Sequence, residues 1–288
     1  MRQSQDVQLA RELLTHWRMN GVEKALAQVA DTNATVVIRG EAGVGKGLVA
    51  ALIHAMSPRC DRPFITVSCA ARRPDGLESE LFGHEKDAAS WAFRRKPGRL
   101  EFANTGTLFV RQVDALPGTA QARFLRALER SEVQRLGGQA TIPVDVRVLA
   151  SCTSRPEAAT DTSALRDALC RLDAVEIAIP PLRERRHQTP ALAALLLARF
   201  NREYQHQTVL WPATVRLLTE YSWPGNLREL AEVIRRFVIV DDPHRNHEEF
   251  QARLARSRPS DDEDVRGLIA GAPPSRSRAP RSCSGAPR

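Results

Sequence analysis

The sequence predicts an α/β fold, a parallel sheet flanked by helices, followed by a small all-helical unit. Short β-branched runs alternate with helical patterns through the first 183 residues. A glycine-rich loop follows the first of these runs and opens a helix, which is where a phosphate loop sits in a βα unit. From Leu182 onward only helical periodicity remains.

Residues 6–30 carry apolar positions at helical spacing, from Val7 and Leu9 through Trp17 to Leu26 and Val29. TVVIRG (35–40) is a β-branched run closed by glycine and reads as a buried strand. KGLVAALIHAMS (46–57) reads as a helix, PFITVSCA (63–70) as a second strand and TLFV (107–110) as a third. AQARFLRALERSEV (120–133) is amphipathic, VDVRVLASC (144–152) is a fourth strand and AVEIAIP (174–180) a fifth. Strands that alternate with helices and are apolar on both faces imply a parallel sheet covered on both sides. Helices are predicted over 189–204, 212–221 and 226–240, the last two separated by Trp223-Pro224-Gly225. The expected division is therefore 1–183 for the α/β unit, 184–241 for the helical unit and 242–288 for a largely disordered basic tail. Within that tail, 241–264 has room for one short helix. Its Pro/Ser/Arg-rich end cannot form a core.

The chain has 288 residues, 42% of them hydrophobic, enough to bury a sizeable core. Its net charge of +8 comes almost wholly from arginine, since the lysines are Lys24, Lys46, Lys86 and Lys96 alone. Such a balance permits contact with nucleic acid or an acidic protein, but a solvated basic surface and tail account for it equally well. No apolar run approaches eighteen residues, which excludes a helical membrane span, and MRQSQDVQLARELL has no signal-peptide core. The five cysteines (60, 69, 152, 170 and 283) show no paired or metal-binding spacing. Cys69, Cys152 and Cys170 lie in apolar contexts and read as reduced core residues of a cytoplasmic protein, with no metal site.

GEAGVGKG (40–47) has the form G-x-x-x-x-G-K between a strand and a helix. Gly40, Gly43 and Gly45 let backbone N–H groups converge on phosphate oxygens, Glu41, Ala42 and Val44 complete the loop, and Lys46 supplies a cation. Many such loops follow the lysine with Ser or Thr, whose hydroxyl holds Mg²⁺. Here that residue is Gly47, so the loop offers no side-chain metal ligand.

Five further segments in order, ELFGHEK (80–86), GTLF (106–109), VDVRVLA (144–150), PPLRERR (180–186) and WPGNLREL (223–230), resemble the AAA+ module of bacterial sigma-54-dependent transcription activators. The resemblance covers roughly residues 20–240. It implies an AAA+ P-loop domain with a helical lid, bound ATP or ADP, homo- or hetero-oligomers with related activators, and remodelling of sigma-54 RNA polymerase. The family's nucleotide-reading lid arginine matches Arg228.

Several family positions are altered. After GTLF and an apolar residue the family has Asp, which organises Mg²⁺, and Glu, which activates water. Here these are Arg111 and Gln112. Glutamine cannot take the water's proton, and loss of a general base costs about 10²–10⁴-fold. Arg111 either repels a dication or itself neutralises phosphate charge. Asp114 would stand roughly 10 Å further along if the chain stayed extended, too far to replace the missing acid. The family's sigma-contacting loop GAFTGA reads DAASWA, Asp87, Ala88, Ala89, Ser90, Trp91 and Ala92. Replacing Phe by Ala89 removes the apolar anchor, which argues against the usual sigma-54 contact. Two asparagine positions are Ser68 and Thr153, and the arginine-finger segment LRDALCRL offers Arg166 and Arg171. Residues 241–288 contain no helix-turn-helix pattern, which argues against sequence-specific DNA binding. The resemblance leaves three readings: a hydrolysis-deficient regulator, an ATPase with a rebuilt site, and a decayed remnant without activity.

Overall fold

The computed structural model describes residues 22–70, 74–88, 92–153 and 174–257. The elements run in chain order as α1 (Val22–Ala30), β1 (Val36–Gly40), α2 (Lys46–Ala55), β2 (Phe64–Ser68) and α3 (Pro74–Phe82). Next come β3 (Gly83–His84), β4 (Lys96–Pro97), α4 (Arg99–Phe102) and β5 (Thr107–Arg111). A 3₁₀ turn, Val113–Ala115, leads to α5 (Gly118–Arg130), β6 (Glu132–Gln134), β7 (Thr141–Pro143), β8 (Arg147–Thr153) and β9 (Val175–Ala178). The C-terminal part is helical: a 3₁₀ segment Leu182–Gln188, then α6 (Thr189–Tyr204), α7 (Pro212–Glu220), α8 (Asn226–Val240) and α9 (Pro243–Ser257).

All five predicted strands are present and form one parallel sheet in the order β2-β5-β8-β1-β9. Alternate residues of a strand enter different cores, as strand geometry requires. Val36 and Ile38 join a core shared with α1, α2 and the C-terminal helices. Val37, Leu108, Val110 and Val148 join a second core with α3 and α5 on the other face. Burial on both faces is why these strands read as near-continuous apolar runs. Cys69 and Cys152 are buried free thiols, and burial pushes the Cys69 thiol up to about 12. Cys60 is exposed, and Cys170 and Cys283 lie outside the described residues.

Two expectations change. The helix predicted over 120–133 ends at Arg130, because Ser131 turns left-handed with φ 54° and the chain enters β6, which pairs with β7. The expected tail from 242 begins with a full helix, α9, whose Phe250 and Leu254 are buried in the core of the C-terminal unit. Its sparse apolar positions suffice because they meet an aromatic cluster. Phe250 packs against Trp223 with ring centroids 5.7 Å apart, and against Tyr221 at 5.6 Å. Residues 258–288, which hold the rest of that tail, lie outside the described residues.

No helix among the described residues is long and apolar enough to cross a membrane.

Candidate functional site

A cleft of about 1270 Å³ opens at the C-terminal edge of the sheet, between the glycine loop and the C-terminal helices. Ligand sites of open parallel sheets form at this edge. Strand register fixes its floor: Ser68, Arg111 and Ser151 stand abreast on β2, β5 and β8, and Gly40 pairs with Thr153. Arg111, Gln112, Ser151 and Thr153 line the cleft, and from β2 Thr66 rather than Ser68 does so.

The loop is shaped as its glycines predict. Gly43 and Gly45 have φ 82° and 106°, where a side chain would strain the backbone. Ala42, Gly43, Gly45, Lys46 and Gly47 face the cleft. Gly40, Glu41 and Val44 do not: Val44 is buried in the core, and Glu41 turns to the helical unit. Lys46 Nζ donates to the carbonyls of Gly40 (2.6 Å) and Glu41 (2.9 Å). Burial lowers the Lys46 pKa, and the positive charges of Arg228 and Arg111 lower it further. All three cations line the cleft.

The C-terminal helices grip the loop from above. Arg183 forms a two-pronged ion pair with Glu41 (2.5 and 2.8 Å), and this guanidinium holds the Glu41 carboxyl below its ordinary range. Asn226 donates to Glu41 Oε2 and to the Ala42 carbonyl, both at 3.1 Å, while its own oxygen accepts from Leu182 N–H. The Arg228 N–H donates to the Gly43 carbonyl (3.2 Å), and buried Arg185 donates to the Val44 carbonyl (3.1 Å). The approach is closest at Gly43, where an added Cβ would lie 2.1 Å from the Gly225 carbonyl oxygen. A Gly43→Ala substitution should therefore cost at least about 1–3 kcal/mol in backbone strain alone, read as a lowered midpoint in denaturant unfolding. An unchanged midpoint would show that the loop does not hold Gly43 in this conformation.

Asp114 is not where an extended chain would carry it. Gln112 takes a left-handed conformation (φ 54°), and the 3₁₀ turn folds the chain back on the sheet edge. Asp114 Oδ2 accepts from the Thr153 N–H at 3.4 Å, and Oδ1 is enclosed without a hydrogen-bond partner. Its charge raises the proton affinity of Lys46, so the carboxylate lies within electrostatic reach of the loop although it is not part of the cleft wall.

A magnesium site of the family kind does not fit these residues. Gly47 has no hydroxyl, a guanidinium ends β5, and among the described residues the cleft wall has one carboxylate, Asp61. Facing it among the described residues are six cations, Lys46, Arg62, Arg111, Arg199, Arg228 and Arg235. Sequence reasoning missed Arg62, Arg199 and Arg235, which belong to no motif, and gave Arg183 and Asn226 no role. The segments that carry those last two, PPLRERR and WPGNLREL, were the available signal.

Of the remaining expected positions, Asp87, Ala88 and Ala92 are not on the cleft wall. At the sigma-loop position, Asp87 N–H donates to the Ala92 carbonyl (2.8 Å) and closes the loop base, with Asp87 left-handed at φ 63°. Ala88 packs beside Gly137 and Ala92 is buried. Ala89, Ser90 and Trp91 lie outside the described residues, as do Arg166 and Arg171.

A glycine loop at the C-terminal edge of a parallel sheet, gripped by a helical unit, defines a P-loop protein with an AAA+ lid. The chain belongs to the sigma-54 interaction domain family: residues 13–178 match that domain, and residues 183–266 match the AAA+ ATPase lid domain. It is 44% identical over 219 residues to the transcriptional regulatory protein ZraR of Salmonella typhimurium, covering 75% of this chain and 49% of that protein. It is 40% identical over 225 residues to the Nif-specific regulatory protein of Azotobacter vinelandii, covering 78% of this chain and 43% of the relative. The chain thus spans about half or less of the curated relatives it matches. Among solved structures, NtrX from Brucella abortus in complex with ADP is similar, with a TM-score of 0.69 and 34% identity, over 78% of this chain and 51% of that one.

Proposed function

We propose that this chain is an AAA+ transcription regulator of the sigma-54-dependent type that binds ATP or ADP and is deficient in hydrolysis. One observation carries the reading: a phosphate loop that keeps its glycines and Lys46 faces a strand end that bears Arg111 and Gln112. The cleft supplies N–H groups, Lys46 and Arg228 for phosphate, which suits a nucleotide like those bound by NtrX, solved with ADP and with ATP. Gln112 supplies no base, and turnover should fall by about 10²–10⁴-fold for that reason alone.

A regulator of this kind works through what it assembles with. Related AAA+ activators are the proposed partners, as a mixed oligomer in the cytoplasm. The altered DAASWA loop makes direct sigma-54 engagement a lesser route. The test mixes the purified chain with an active sigma-54 activator that keeps the acidic pair, and follows that activator's ATP turnover and the size of the complex. Turnover per active subunit should change as a larger complex forms. Unchanged turnover with no complex would remove the partner role.

A second reading is favoured by the turn at Gln112. Asp114 stands close enough to influence Lys46 and has one oxygen without a partner, so a rebuilt ATPase using Asp114 is the competing reading. Mg²⁺-dependent phosphate release, abolished by both Lys46→Ala and Asp114→Asn, would establish it instead.

A further inference from the structure

We infer that the cleft takes a nucleoside triphosphate in its metal-free form, with the Arg111 guanidinium in the electrostatic place of the divalent cation. The inference rests on the nucleotide-binding reading and adds to it the chemical form of the ligand.

The charges of the cleft carry it. Arg111 ends β5, is exposed, and lies on the cleft wall in register with Ser151. Lys46, Arg111 and Arg228 all line this cleft, so three cations share one region. Repulsion among cations that share a cleft is relieved by a polyanion and increased by a dication. A free triphosphate carries more negative charge than its magnesium complex and leaves its oxygens open to N–H donors. A guanidinium presents a planar fork of such donors, suited to two-pronged contact with phosphate. The residues that would reward a bound metal are missing at both usual places, Gly47 and Arg111. Asp114 points one oxygen at the Thr153 N–H and stands off the cleft wall.

The test is equilibrium binding of a fluorescent ATP analogue to the full chain, once with excess Mg²⁺ and once with EDTA. Affinity should be tighter in EDTA by about tenfold or more, a factor equal to ~1.4 kcal/mol. Arg111→Gln should lose this preference, and Arg111→Lys should keep part of it, with thermal melting confirming that both variants fold. Equal affinity in the two conditions, or binding that requires Mg²⁺, overturns the inference and leaves the nucleotide-binding reading standing. If Mg²⁺-dependent binding is lost in Asp114→Asn, the carboxylate rather than the guanidinium organises the site. Absence of binding in both conditions rejects the nucleotide-binding reading as well.

Discussion

Exchanging Arg111 for Asp and Gln112 for Glu together should turn the cleft into a Mg²⁺-dependent nucleotide site while leaving turnover low. Arg111 stands on the cleft wall, abreast of Ser68 and Ser151. Placing a carboxylate there reverses the sign of the charge a metal meets. One unit-charge pair about 4 Å apart contributes about 4 kcal/mol at an effective dielectric near 20. The dependence of nucleotide affinity on Mg²⁺ should accordingly rise at least about a hundredfold. Hydrolysis should recover far less, because Ser68 and Thr153 still stand where the resemblance to the family implies asparagine, and LRDALCRL departs from the finger segment it implies. A magnesium titration of affinity alongside phosphate release checks both halves. Full hydrolysis by the double variant would show the remaining substitutions to be without consequence.

Trp223→Ala should destabilise the chain by about 3–5 kcal/mol, the range for removing a fully buried large aromatic side chain. Trp223 is among the largest fully buried side chains. It stacks on Phe250, meets Tyr221 edge-on with centroids 5.0 Å apart, and donates from Nε1 to the Leu218 carbonyl at 2.8 Å. It also precedes the turn that places Asn226 and Arg228 on the phosphate loop, so nucleotide affinity should fall with stability. Trp223→Phe keeps the stacking and loses one hydrogen bond, worth about 1 kcal/mol plus its packing change. Urea unfolding of the three proteins orders them wild type, Trp223→Phe, Trp223→Ala. Equal midpoints would show that the aromatic cluster does not hold the lid.

The central strands β1, β5 and β8 were legible because a parallel strand buried on both faces leaves an apolar run, and the edge strands β2 and β9, less buried, were legible from their β-branched residues. The phosphate loop was legible because Gly43 and Gly45 must adopt positive φ, which glycine does at little cost. The turn at Gln112 was not legible, since glutamine seldom adopts φ near 54° and gives no local signal for it. That one residue changes where Asp114 lies. Helix α9 escaped a full reading because it is mostly polar, and Phe250 and Leu254 gain their burial only against partners distant in sequence. Arg199 and Arg235 reach the cleft through packing of the lid against the sheet edge, a tertiary fact that no local pattern encodes.

The measurement that bears most directly on a nucleotide-binding chain without hydrolysis is a titration with a fluorescent ATP analogue, with phosphate release assayed in the same samples and Lys46→Ala as the control. Saturable binding that is lost in Lys46→Ala, with no phosphate released above the control, is the predicted result. Release that requires Mg²⁺ and disappears in Lys46→Ala would contradict it, because a working acid would then act in place of Gln112.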